Sequence, residues 1–162
     1  MENEIQVKVK KSEKVLRVPI YDENDKDSGE YLQFDLEDIQ TALDMQECIE
    51  LHKKNIAYLN NQEIIIDKQQ DHAGKKLFSS KQEAKAKAIQ EFLKREIKAL
   101  DLFIGEGKTE VILKVMGRRP YLTMFNDISE MLAPIYPYLE QNYKDYKIEI
   151  EKKYTKEEDI LE

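Results

Sequence analysis

Four short stretches of this 162-residue chain carry residue types that do chemistry elsewhere. The first is Gly107-Lys108-Thr109, the closing half of a phosphate-binding loop. That loop needs Gly-x-x-x-x-Gly-Lys-Ser/Thr after a strand, so that successive backbone N–H groups wrap the phosphates. Leu102 stands where the first glycine belongs, and the residues before it have helical spacing. The second is the acidic run from Asp22 to Gly29, which has the composition of a calcium loop. Counted from Asp22, the fifth position is Lys26 and the twelfth Gln33; counted from Asp25, the twelfth is Leu36. Neither register supplies the ligands that calcium requires, so a solvated turn is expected. The third is Cys48 with His52 one helical turn later, a thiol and a base without a third group to orient them. No Cys or His lies at metal-ligand spacing from His52 or from His72. The expectation for His52 is an interhelical hydrogen bond, and for Cys48 packing as a small hydrophobe. The fourth is the basic run from Lys75 to Lys98, interrupted by Glu83, Glu91 and Glu96. It reads as a solvated face opposite an acidic helix. No cofactor and no metal follow from these stretches.

Composition narrows the classes. Hydrophobic residues make up 41% and charged residues 36%, with a net charge of −7. That describes a single globular domain over residues 1–162 with a heavily charged surface. An acidic balance disfavours nucleic acid as the main partner, because phosphates require a basic face. The single cysteine rules out an intrachain disulfide framework. The opening Met-Glu-Asn-Glu has neither the basic start nor the apolar run of a signal peptide, and no apolar run reaches spanning length. A cytoplasmic protein without a membrane role is expected.

The elements that must position these residues suggest a predominantly helical α+β fold in three parts. Residues 1–34 form a β-rich part. Ile5, Val7 and Val9 alternate, as do Leu16, Val18 and Ile20, so a hairpin over 5–20 with a turn at Lys10 to Glu13 is expected. Tyr21 to Gly29 is then a loop, and Leu32 and Phe34 mark a third strand. Residues 35–104 form a helical hairpin. Asp35 is placed to cap its first helix, whose stripe is Ala42, Met45, Ile49, His52, Ile56, Leu59 and Ile66, ending near Gln70. The β-branched run Ile64 to Ile66 leaves a short strand open as an alternative. Gly74 pivots the turn, and Ser79 or Ser80 caps the second helix, with Glu83 three residues after Ser80. The second stripe is Ala86, Ile89, Leu93, Ile97, Leu100 and Ile104. Residues 105–162 form a C-terminal helical part. Gly105 and Gly117 bound a short helix capped by Thr109. The apolar period beyond Pro120 runs through Pro134 and Pro137, implying a kink or two helices meeting near Ala133. The tail from Lys144 is strand or helix. Tyr136, Tyr138, Tyr143, Tyr146 and Tyr154, with Arg118 and Arg119, are of the types enriched at protein interfaces.

Phe103-Ile-Gly-Glu-Gly107, followed by Val111-Ile112, Gly117-Arg118 and a helix carrying Phe125 and Ile128, resembles the tail assembly chaperones and related small tail proteins of siphophages from Gram-positive hosts. The resemblance covers about residues 99–143. It implies a non-enzymatic role in the bacterial cytoplasm: coating the helical, aggregation-prone tape-measure protein until tail-tube subunits polymerise around it. On that basis Phe103, Gly105, Gly107, Arg118, Arg119, Tyr121 and Phe125 are the candidate partner-binding residues, with a tape-measure or tail-tube protein as partner. A homo-oligomer is also compatible. Two rival readings stand beside it: a nucleic-acid-associated phage protein using the basic helix 75–98, and a nucleotide-binding enzyme using Gly107 to Thr109.

Overall fold

The computed structural model describes residues 14–73 and 77–161, with side chains through Lys153. The fold is α+β and mostly helical. Two strands precede five α-helices: β1 (Val15–Tyr21), β2 (Asp27–Asp35), α1 (Ile39–Asp67), α2 (Ser80–Ile104), α3 (Lys108–Val115), α4 (Met124–Leu132) and α5 (Tyr136–Leu161). A 3-10 turn, Ala133–Ile135, joins the last two.

The strands pair antiparallel, with Leu16 opposite Phe34 and Val18 opposite Leu32, and the register shifts between Pro19 and Tyr21. These are the second and third of the expected strands, paired with each other as a hairpin. The acidic run is its turn, and the stretch expected as a third strand belongs to its second. The expected strand over Ile5 to Val9, the Lys10 to Glu13 turn and the Gly74 pivot lie outside the described residues. Asp22 makes the turn by accepting hydrogen bonds at Oδ1 from the amides of Asn24 (2.8 Å) and Lys26 (3.0 Å). One face of the ribbon is apolar: Ile20, Leu32 and Phe34 are buried. Two strands alone are marginal in water, so this face must be covered. Phe34 meets Phe103 of α2 with ring centroids 5.0 Å apart.

Asp38, not Asp35, caps α1, its side chain accepting from the Gln40 amide. Asp35 is still the last residue of β2, and its Oδ1 accepts from the Glu37 amide instead. The helix stops at Asp67, short of Gln70, and Ile64 to Ile66 are helical within it. Ser79 caps α2 in a reciprocal box with Gln82, where Glu83 was the expected partner.

Both expected stripes are met in part: Ile66, Leu100 and Ile104 are buried, and Met45, Leu93 and Ile97 pack half-buried against the core. In α1 the buried residues are Cys48, Asn55 and Ile66, whereas Ile49 and Ile56 are exposed. In α2 they are Ala88, Phe92, Glu96, Ala99, Leu100, Phe103 and Ile104, whereas Ala86 is exposed. Polar Asn55 and Glu96 are buried between the helices because they bond one another there.

Gly105 ends α2, and its amide donates to the Asp101 carbonyl. The residue before α3 is Gly107, in the left-handed region at φ +78°, which has no side chain with which to cap. Asp101 supplies the cap from the preceding helix: its carboxylate accepts from the amides of Gly107 and Thr109, both at 3.0 Å. Thr109 is thus not the cap. It is fully buried, and its hydroxyl has no hydrogen-bond partner. Gly117 closes α3 at φ +66°, and a Cβ there would meet the Glu23 carboxylate of the β-turn at 2.5 Å. That glycine thus satisfies both a left-handed backbone and a close approach.

Beyond it the prolines divide one apolar period into two helices, which meet at Ala133. Pro134 sits in the 3-10 turn and Pro137 in the first turn of α5, where no intrahelical donor is lost. Tyr136 Oη and Ser129 Oγ brace the corner at 2.8 Å. The tail from Lys144 is helical to Leu161. Ile112, Leu113, Met124, Ile128, Leu132, Ile135 and Leu139 join Phe34, Leu100 and Phe103 in one core.

Thr109→Val replaces an unpartnered buried hydroxyl by a methyl of the same shape. It should stabilise the protein by about 1 kcal/mol, seen as a higher urea midpoint at unchanged slope.

Candidate functional site

The phosphate-loop remnant is the first place to look for chemistry. A helix, not a strand, leads into it. The Gly107 and Thr109 amides that would face a phosphate are held by Asp101, a carboxylate occupying the anion position. A second anion there would have to displace it against like charge. In the run from Asp22 to Gly29, Asp22 and Asp27 spend an oxygen each on turn amides. Among the described residues no group of three or more His, Cys, Asp and Glu side chains could hold a metal ion.

The cations of α2 are largely engaged within the chain. Lys85 Nζ lies 2.9 Å from Asp67 Oδ1, and Lys81 Nζ donates to the Asp67 carbonyl at 3.1 Å. Lys87 pairs with Glu83 at 3.3 Å. Arg95 pairs with Glu91 and lies over the Tyr58 ring, 3.8 Å from its centroid. Lys85 holds the Asp67 carboxyl below its usual range through a direct hydrogen bond.

The seven expected partner-binding residues do not share a surface. Phe103 and Phe125 are buried in the core, where a docking chain does not reach. Gly105 and Gly107 shape the joint between α2 and α3. Arg118 and Arg119 are exposed and line, with Lys114, Gly117 and Pro120, a shallow depression of about 380 Å³. Arg118 reaches over the Tyr121 ring at 5.2 Å, and Tyr121 donates to Asp127 Oδ2 at 2.9 Å.

Sequence reasoning missed a buried polar cluster where α1, α2 and α4 meet. Glu96 is 1% exposed. Its Oε2 lies 2.6 Å from His52 Nδ1, and its Oε1 accepts from Asn55 Nδ2 at 2.8 Å. A carboxylate only accepts, so with Glu96 ionised His52 must carry its proton on Nδ1. The imidazole stacks on Phe125 with centroids 3.8 Å apart and planes 3° from parallel. His52 is thus an interhelical hydrogen bonder, as its place on the α1 stripe implies. Burial pushes the Glu96 carboxyl above its usual range, opposed by the hydrogen bond from Asn55 and by His52. Cys48, one turn before His52, is buried, and desolvation together with the Glu96 charge raises its thiol to about 12. A thiol so placed stays protonated at neutral pH, and protonated thiols are poor nucleophiles. The cluster binds the helices together, with Glu96 and Cys48 buried and His52 half-buried.

A larger and more apolar concave feature lies elsewhere. The first half of α1 and the start of α5 leave between them an apolar groove of about 510 Å³, lined chiefly by Ile39, Leu43, Ile49, Tyr136, Leu139 and Tyr143. Leu43 is 50% exposed, Ile49 40% and Tyr143 51%, so large apolar side chains face solvent along both walls. Tyr136 and Tyr143 come from the tyrosine run flagged in the sequence. On the α1 wall, Ala42, Met45 and Ile49 belong to the stripe expected to face the core, whereas Ile39 and Leu43 stand outside it.

No protein-family model, curated protein or solved structure matches the chain. Among the described residues no helix is long and apolar enough to cross a membrane.

A raised folded-state pKa means that the stability contributed by Glu96 is fully present below its ordinary value near 4.5 and is lost as pH rises through the raised value. The unfolding free energy of the wild type relative to Glu96→Gln should therefore decline as pH rises above about 4.5. Urea titrations of both proteins across that range measure it, and a flat difference would contradict the assignment.

Proposed function

We propose that this protein is a non-catalytic binding protein that holds a helical segment of another polypeptide in the groove between α1 and α5. One observation carries the reading. On a surface rich in charge, the large exposed side chains Leu43, Ile49 and Tyr143 converge on a single concave strip. Scattered apolar residues on a surface are ordinary, whereas a lined groove marks a site of interaction. A groove between two helices suits a third helix, which lays its own apolar face against both walls. The resemblance of residues 99–143 to siphophage tail assembly chaperones makes a tape-measure protein the specific partner we propose, with tail assembly in a bacterial host as the setting. A tape-measure chain is long and helical and needs its apolar stripes covered before tube subunits enclose it. Only the groove residues enter this proposal as contacts, since Phe103 and Phe125 are committed to the core.

Co-expression with a tape-measure protein should raise that protein's soluble yield and give a complex that survives purification. Leu43→Glu and Ile49→Glu place charge on exposed positions and should keep the helical circular dichroism of the wild type. They should abolish the complex, because a carboxylate buried under a helix without a partner is heavily penalised. A complex that forms equally well with both variants would refute the groove as the site.

A further inference from the structure

The charge around the groove identifies the kind of helix it accepts. Ile39 to Leu51, the stretch of α1 that supplies one wall, holds Asp44, Glu47 and Glu50 and no lysine or arginine. Glu47 is exposed one turn beyond Leu43, and Glu50 is exposed one turn beyond Gln46, so both stand beside lining residues. Glu140 lines the opposite wall on α5. Glu140 is paired with Lys144 at 3.4 Å, which offsets its charge, so the net negative charge of the rim comes from α1. Lys53 lies a turn beyond Ile49, past the groove's end. The floor is therefore apolar and the α1 rim anionic. The lining residues Ile39 to Ile49 cover about 15 Å of helix, or close to three turns.

The geometry points to a partner helix of about three turns, with an apolar stripe at i, i+3 or i+4 and i+7, flanked on the side that faces α1 by lysine or arginine. This inference rests on the binding role proposed above and specifies its partner. Each rim contact is exposed and individually weak, but a row of them selects for charge and speeds encounter. The same rim argues against a symmetric pairing of two copies through this face, since a two-fold axis would set carboxylates against carboxylates.

The test uses the full chain and two synthetic peptides with identical apolar stripes, one flanked by lysines and one by glutamates, with binding followed by fluorescence anisotropy. The lysine peptide should bind about tenfold tighter or more at low salt, an advantage that shrinks at high salt. Glu47→Lys with Glu50→Lys, both at exposed positions, should remove the preference while leaving the helical signal intact. Equal binding of the two peptides, with Leu43→Glu abolishing both, would overturn the charge inference and leave the groove standing as a helix site. Failure of both peptides, with Leu43→Glu without effect on any binding measured, would remove the groove reading itself. Concentration-dependent dimerisation that Leu43→Glu abolishes would assign the groove to a second copy and overturn the inference.

Discussion

A single buried carboxylate sets the geometry of the helical body. Glu96 is enclosed where α1, α2 and α4 meet and is held by His52 and Asn55 from the facing helix. Apolar stripes alone tolerate a one-turn slide of one helix along another, because leucine and isoleucine accept many neighbours. A buried carboxylate does not, because losing either donor leaves charge without compensation, at roughly 3–5 kcal/mol. The pairing of α1 with α2 is therefore fixed to one register, and the groove, built on the three turns of α1 that lead up to His52, inherits that precision. The stack of His52 on Phe125 carries the constraint into α4 and from there into the core.

The helical hairpin is anchored unequally along its length. Near its base Cys48, Ala99, Leu100, Phe103 and Ile104 belong to the main core. Towards its turn Ile66, Ala88 and Phe92 are buried between the two helices but lie outside that core. There the charge pair of Lys85 with Asp67 and the stacking of Arg95 on Tyr58 hold the helices together. Exposed contacts of that kind are screened by water and individually weak, so the turn end opens more readily than the base. The groove sits at the anchored end, where its walls are held apart at a fixed distance by packed residues.

Punctuation was legible in the sequence, and faces were not. Gly105, Gly117 and the two prolines announce where helices stop, because those residues restrict the backbone whatever surrounds them. The end of α2 at Ile104 follows from that alone, whereas the prolines left a kink or a break near Ala133 equally open. Which side of a helix faces inward depends on what it meets. Period-based reading sends Glu96 outward with the other charges of α2, yet two donors 41 and 44 residues away bring it inside. Asp101 is illegible for the same reason: a cap is sought in the residue before the helix, and here it comes from the last turn of the previous one. The groove was hidden because α1 and α5 are neighbours in space and distant in sequence, so that no local pattern joins Leu43 to Tyr143.

Net charge and groove chemistry answer a common problem. A protein that leaves Leu43, Ile49 and Tyr143 open to water risks meeting its own copies through them. An acidic rim raises the cost of that encounter, since two copies approaching face to face bring like charges together before their apolar floors touch. The same rim attracts a cationic helix, so the feature that keeps the groove open also selects what fills it. On α2, Lys81, Lys85, Lys87 and Arg95 are engaged by partners within the molecule. Those four cations are therefore less available to draw the acidic groove of another copy.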